Sequence, residues 1–258
     1  MKRALKIISS NIRFANSGDG AHDWGFRKGL LQNIYQNFAP DLLGTQEGRV
    51  VQIHELRDGL KNLVLVEGHR SWIEDRMYPC LFINPETVSV EKSGDIWLSE
   101  TPEIAGSVSF DSAFPRLCTW ARIKLKQSGQ NLMVVNTHLD HILQKSRKEQ
   151  IKVLIREIQK LGNDPVIIVG DFNESPLTEI QKDLLEAFKL QDPWKEMGQA
   201  EETSHHGFLG EEANGDRIDW ILVPTTFECE SITMDKRSFE NGIFPSDHYP
   251  LLATVIPK

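Results

Sequence analysis

Cysteine is scarce: three residues, at positions 80, 118 and 229, with no C-x-x-C pair and no zinc-like spacing. An odd, scattered set of this kind excludes a disulfide framework and reads as buried free thiols on strands, in a reducing compartment. Long apolar runs are missing too. No stretch approaches the ~18 residues of a membrane helix, so no membrane partner is expected. The basic start, MKRALKIISSNIR, has an apolar stretch broken by Lys6 and no small-residue cleavage pattern. It is expected to be a first strand, not a signal peptide, in a cytoplasmic protein. Positive charge is also short: 29 Lys and Arg against 37 Asp and Glu leave a net charge of −8. Such a surface is a poor match for coating a duplex polyanion. Repeats, low-complexity segments and Ser/Pro/Gly linkers are absent, so residues 1–258 are expected to form one domain, with no obligate protein partner evident. What is present, 40% hydrophobic and 26% charged residues, suits a folded core and not a disordered chain.

Periodicity predicts a mixed succession of elements. Helical spacing covers Trp24–Phe38, ending before Pro40, and then Val50–Leu60, Lys145–Leu161 and Leu177–Phe188, the last with Pro176 as its N1 residue. Strands are expected at Leu5–Asn11, Leu42–Gln46, Leu63–Glu67, Cys80–Asn84, Val88–Ser93, Ile96–Leu98, Cys118–Lys126, Leu132–Leu139, Val166–Val169, Ile218–Val223, Phe227–Met234 and Leu251–Val255. Runs of consecutive strands exclude a simple doubly wound parallel sheet and point to sheet packed on sheet with helices outside.

Polar clusters stand where these strands end. Alternation puts Leu5, Ile7, Ser9 and Asn11 on one face, apolar turning polar at the tip. Glu47 follows the strand of DLLGTQEG, either as a metal ligand or as the start of the next helix. In NTHLDH, Asn136, His138 and Asp140 share a face, as a structural network or as an edge facing phosphate or metal. In VIIVGDFNESP, Asp171 and Asn173 offer an anionic oxygen and an amide to one ligand, which suits holding a water beside a phosphoryl oxygen; the competing reading is a turn with Ser175 as N-cap. Asp219 alternates with Trp220 on a hydrophobic strand, and a carboxylate there needs a partner. His248 is the candidate, with Asp247 beside it pointing toward metal or water. Oxygen-rich ligands without a cysteine pattern favour Mg²⁺ or Mn²⁺ over zinc.

Taken in order, these motifs resemble the endonuclease/exonuclease/phosphatase superfamily, with its deoxyribonuclease I-like fold. The resemblance runs from SSNIRF to PSDHYPLLATV. DWGFRKGLL, PDLLGTQE, IWLSETPE, FPRLCTWARI, NTHLDH and RIDWILV are similar to a bacterial branch akin to nocturnin and deadenylase-like enzymes. It implies a four-layer α/β/β/α sandwich of two packed mixed sheets, with the site at one edge, and a divalent-metal phosphoesterase. It further implies that Glu47, with Asn11 and Asp247, lies in the metal region, that His138 contacts the scissile phosphate, and that Asp171 and Asn173 orient the water. Asp219 supports His248, and either Asp171 or His248 takes the proton, with one metal or two. Arg116 of FPRLCTW, Arg147 after NTHLDH and His206 of TSHHGFLG are weaker candidates for substrate contact.

A calcineurin-like metallophosphoesterase would need a D-x-H near the start and a G-N-H-[DE] loop, and neither is present. A binding module that had lost catalysis would lack part of the Glu47, Asp171 and Asp247–His248 set. The expected substrate is a phosphoester, a nucleotide or single-stranded nucleic acid in first place and a sugar or lipid phosphate as the alternative. The absence of exposed apolar anchors disfavours the lipid.

Overall fold

A computed structural model describes residues 3–239 and 242–258. Twelve strands form two six-stranded sheets. The first contains β1 (Leu5–Asn11), β2 (Leu42–Gly48), β3 (Val64–Leu65), β4 (Tyr78–Ile83), β11 (Phe227–Met234) and β12 (Leu251–Pro257), in the order β11-β12-β1-β2-β4-β3. The second contains β5 (Val88–Trp97), β6 (Leu117–Leu125), β7 (Asn131–His138), β8 (Val166–Asp171), β9 (Leu190–Gln191) and β10 (Asp219–Pro224), in the order β5-β6-β7-β8-β10-β9. Each sheet has one parallel pair at its centre, β1 with β2 and β7 with β8, and antiparallel pairs around it. The parallel crossovers are helical: α1 (Trp24–Phe38) links β1 to β2, and α3 (Gln144–Lys160) links β7 to β8. The mixed, two-sheet architecture with helices outside is the one expected.

Strand alternation generates the layers. Ile7, Leu42, Leu81, Val134, Ile167, Val169 and Ile221 meet between the sheets. Their sequence neighbours Ile8, Leu43 and Phe82 face outward onto Leu31 and Ile34 of α1 and Ile53 and Leu56 of α2 (Val50–Gly59). On the opposite side Val135, Ile168, Trp220 and Leu222 pack under Ile151 and Leu154 of α3 and Ile180 and Leu184 of α4 (Glu179–Phe188). A period of two in strands and 3.6 in helices thus yields four layers and three apolar contacts. The sheets approach closely at Gly44, where an added Cβ would lie 2.5 Å from the Val169 side chain. Among the described residues no helix is long and apolar enough to cross a membrane.

Three local expectations change. Val88–Trp97 is one strand, with an irregular register between Val90 and Lys92, where two were expected. α4 starts at Glu179 with Thr178 as its N-cap, so Pro176 is not N1 and Ser175 is not the cap; Ser175 Oγ bonds Asp216 instead. Asn173 and Leu177, both with positive φ, wind this loop away from helical geometry. A short helix, α5 (Pro193–Glu196), capped by Asp192, was not anticipated.

Candidate active site

At one end of the sandwich the face between the sheets turns from apolar to polar. β1 delivers Asn11, β7 delivers His138, β8 delivers Asp171 and β10 delivers Asp219, each in step with apolar residues of the inter-sheet face: Ile7 four before Asn11, Val134 four before His138, Ile167 and Val169 before Asp171, and Ile221 and Val223 after Asp219. The β8–β10 register sets Asp171 opposite Asp219, and the β7–β8 register sets His138 opposite Asp171. Glu47 arrives differently. Alternation along β2 gives the inter-sheet face to Gly44 and Gln46, and Gln46 bonds Asn136 across the sheets at 2.8 Å. Glu47 reaches the site because its backbone turns left-handed, φ 67°, at an irregularity in the β2–β4 pairing.

Asn11 joins the two sheets at the site. Its amide nitrogen donates to Glu47 Oε1 (3.1 Å) and Asp171 Oδ2 (2.9 Å), while its oxygen accepts the Arg13 backbone N–H. Expected in the metal region, Asn11 is seen here orienting two carboxylates through its amide nitrogen. Glu47 Oε2 takes the Phe14 N–H at 3.1 Å. Asp171 Oδ1 takes the Asn173 N–H at 2.9 Å, and Asp171 Oδ2 also faces His138 Nε2 (3.4 Å) and His248 Nε2 (3.8 Å). Asn173 spends its side-chain amide on the Leu139 carbonyl, 3.1 Å. His248 Nδ1 pairs with Asp219 Oδ2 at 2.8 Å, both groups buried. Among the described residues the Asp247 carboxylate has loose neighbours: Ser246 Oγ at 3.3 Å, Arg13 at 3.7 Å and His205 at 3.8 Å.

The electrostatics follow from burial and crowding. Burial, then the nearby Asp219 charge, lifts the Asp171 carboxyl to about 7. Burial alone would lower His248, but the Asp219 charge and hydrogen bond overcome it and raise the imidazole to about 10. His138 goes the other way: burial and the Arg116 charge hold it neutral, well below the usual histidine range.

Glu47, His138, Asp171, Asn173, Asp247 and His248 line a cleft of about 250 Å³ together with Arg13, Phe14, Met77, Phe114, Arg116, His141, Ile218 and His205, while Asn11 and Asp219 are buried behind it. Of the weaker candidates, Arg116 lies in it. Arg147 does not: its guanidinium bonds Glu174 at 2.8 Å and the Asp140 carbonyl, tying α3 to the loop after β8. His206 is buried, stacked on Tyr249 with ring centroids 4.1 Å apart, and burial lowers it to about 4. Its neighbour His205 is the one that reaches the cleft, half exposed and 4.7 Å from the His248 ring. Asp140 also leaves the face expected of it, since β7 ends at His138 and the Asp140 carboxylate accepts the N–H groups of Ala113, Ile142 and Leu143. Arg13 and His141, which sequence reasoning passed over, flank Asn11 and His138 in the motifs already singled out.

The donor set fits a divalent cation. Atoms of Glu47, His138 and Asp171 lie within 4.8 Å of one another, as do those of His205, Asp247 and His248. Carboxylate oxygens gathered on one amide, one of them already lifted toward neutrality by its neighbours, are the crowding a hard cation relieves.

A sequence model of the endonuclease/exonuclease/phosphatase family matches residues 8–248. A solved family protein from Bacteroides vulgatus superposes with a TM-score of 0.90 at 27% identity, covering 100% of both chains. A mannosyl-6-phosphatase from Bacteroides thetaiotaomicron superposes with a TM-score of 0.87 at 26% identity, over 98% of this chain and 99% of that one. In sequence, nocturnin of Drosophila melanogaster is 26% identical over 202 residues, 68% of this chain; the match spans 28% of that relative's length.

Proposed function

Because the chain belongs to the endonuclease/exonuclease/phosphatase family, whose members are hydrolases of phosphoester bonds, we propose that its cleft hydrolyses a small phosphoester, a nucleotide or a sugar phosphate, with Mg²⁺ or Mn²⁺. The observation that carries this reading is the convergence of Asn11, Glu47, His138, Asp171 and the Asp219–His248 pair from both sheets on one cleft. The cleft, about 250 Å³ and open to solvent, accommodates a phosphoryl group. The likeness to a mannosyl-6-phosphatase over nearly the whole of both chains supports the sugar phosphate, expected only as the alternative, alongside the nucleotide.

Glu47, flanked by Asp171 and Asp247, would hold the cation, which when bound polarises a phosphoryl oxygen and offsets the carboxylate charge. Asp171 is fixed by Asn11 on one oxygen and by the Asn173 N–H on the other, so its position beside an attacking water is set before substrate arrives. His248, kept as an imidazolium by Asp219, donates from Nε2 to a phosphoryl oxygen. With that imidazole already protonated, the water's proton goes to Asp171, a carboxylate whose basicity burial has raised toward the working pH. His138, neutral, supplies a second N–H.

The test is turnover of p-nitrophenyl phosphate, bis-p-nitrophenyl phosphate, nucleotides, sugar phosphates and oligonucleotides by purified protein with each metal. Asp171→Ala and Glu47→Ala should each lower kcat about 10²- to 10⁴-fold. Turnover surviving Asp171→Ala sinks the assignment, and an inactive unsubstituted protein sinks the function.

A further inference from the structure

Four arginine side chains are buried in this fold, and three of them have their charge met. Arg27 is wrapped in backbone carbonyls, Arg70 is paired with Asp95, and Arg217 with Asp192 and Glu201. Arg116, at the start of the FPRLCTW strand and 6% exposed, is different. Among the described residues its one hydrogen-bond partner is Nδ1 of His141, 3.3 Å from Nη2, and its buried Nε has none. Burying a guanidinium with neither carboxylate nor carbonyls costs several kcal/mol. The fold nevertheless directs it into the reaction cleft, beside Glu47, His138, Asp171 and His248. Phe114 walls it in, 5.9 Å from the guanidinium carbon and stacked on His141 at 5.8 Å. Burial and the Arg116 charge keep His141 below the usual histidine range, so its Nδ1 serves as an acceptor and adds no competing charge.

The other arginine of the cleft is already engaged. Arg13 forks onto Asp19 with two bonds of 3.1 Å and leans toward Asp247. Arg116 is therefore, of the two cleft arginines, the one with hydrogen-bonding capacity to spare. A phosphomonoester near neutral pH carries close to two negative charges on three non-bridging oxygens, whereas a diester carries one charge on two. In the reading above, on which this argument rests, the cation, His248 and His138 share the two non-bridging oxygens that monoester and diester have in common. The third oxygen, and the second charge, exist only in the monoester.

We infer that Arg116 binds the third non-bridging oxygen of a phosphomonoester dianion and makes the cleft select monoesters over diesters. Its planar fork suits that role better than a lysine.

The experiment compares p-nitrophenyl phosphate with bis-p-nitrophenyl phosphate, with Mg²⁺ present, for the unsubstituted protein, Arg116→Met and Arg116→Lys. The unsubstituted protein should favour the monoester. In Arg116→Met the monoester-to-diester ratio of kcat/KM should fall about 10- to 100-fold, as expected for one charge-assisted bond, with Arg116→Lys between. Orthophosphate inhibition should weaken by a similar factor. Replacing a buried charge to which no carboxylate is hydrogen-bonded by an apolar side chain of similar length should leave Tm unchanged or raise it. A fall in Tm marks Arg116 as structural and overturns the inference, as does an equal loss on both substrates. Because neither compound has a second phosphate, an unmoved ratio overturns it too, including when Arg116 proves to hold a phosphate elsewhere on a larger substrate. Turnover of neither compound by the unsubstituted protein overturns this inference, and the hydrolase reading falls with it only if nucleotides, sugar phosphates and oligonucleotides are also left intact.

Discussion

At the scale of single residues, one 2.8 Å bond joins the buried Asp219 and His248. Burial opposes the imidazolium, and the Asp219 charge and hydrogen bond restore it, to about 10. A folded-state value above the unfolded one stabilises the fold fully below about pH 6.5, and that contribution disappears as pH rises through about 10. In Asp219→Asn the imidazolium loses its largest support against burial, only Asp171 and Asp247 still favouring it, and the His248 pKa falls. The basic limb of the kcat/KM profile should then move down by at least about one pH unit, with kcat lowered about 10²- to 10⁴-fold. Melts at pH 7 and pH 10 should show a loss in the unsubstituted protein that the variant lacks. A basic limb that stays in place would refute the pairing's role. This pair was legible in the sequence, because an acid alternating onto a hydrophobic strand demands a partner. Glu47 was legible as a residue but not as a direction: strict alternation assigns its face to Gln46, and only a left-handed turn reverses that.

At the scale of elements, α1 anchors the loops that carry the site. Arg27 of α1 is fully buried and donates to the carbonyls of Ile12, Arg13 (2.8 Å), His22 (2.7 Å) and Pro245 (3.3 Å). One side chain thus holds both the chain leaving β1 beside Asn11 and the chain entering Asp247–His248. Arg27→Met leaves those carbonyls without donors. About 3 kcal/mol should be lost, lowering Tm by about 6–12 °C for a chain of this length. Calorimetry reads the first effect, and an assay below the lowered Tm should still show reduced kcat; full activity there would mean the loops hold without Arg27. Helical periodicity predicted α1 to the residue, yet a charged side chain on a helix is ordinarily read as solvent-facing. Its burial depends on two loops far apart in sequence that pack over it. For the same reason Arg147 and Asp140, plausible site residues by spacing, turn out to fasten loops.

At the scale of the whole molecule, 37 acidic against 29 basic residues disfavour a bound duplex and make the site a natural host for a cation. A ligand that binds only the folded state stabilises it by mass action, about 2.7 kcal/mol at 100-fold over Kd. Mg²⁺ or Mn²⁺ at that excess should raise Tm by about 5–10 °C, and Glu47→Ala should abolish most of the rise; an equal shift in the variant would place the cation elsewhere. The sequence by itself determined the sandwich and the order of the site residues, because periods of two and 3.6 are local and decide which face each side chain leaves by. Only the tertiary structure decided that Asn11 bridges carboxylates 36 and 160 residues away, that His205 and not His206 reaches the cleft, and that Arg116 stands there with no carboxylate among the described residues bonded to it. Those outcomes depend on how two sheets and their edge loops meet, and contacts between distant segments leave no local period to read.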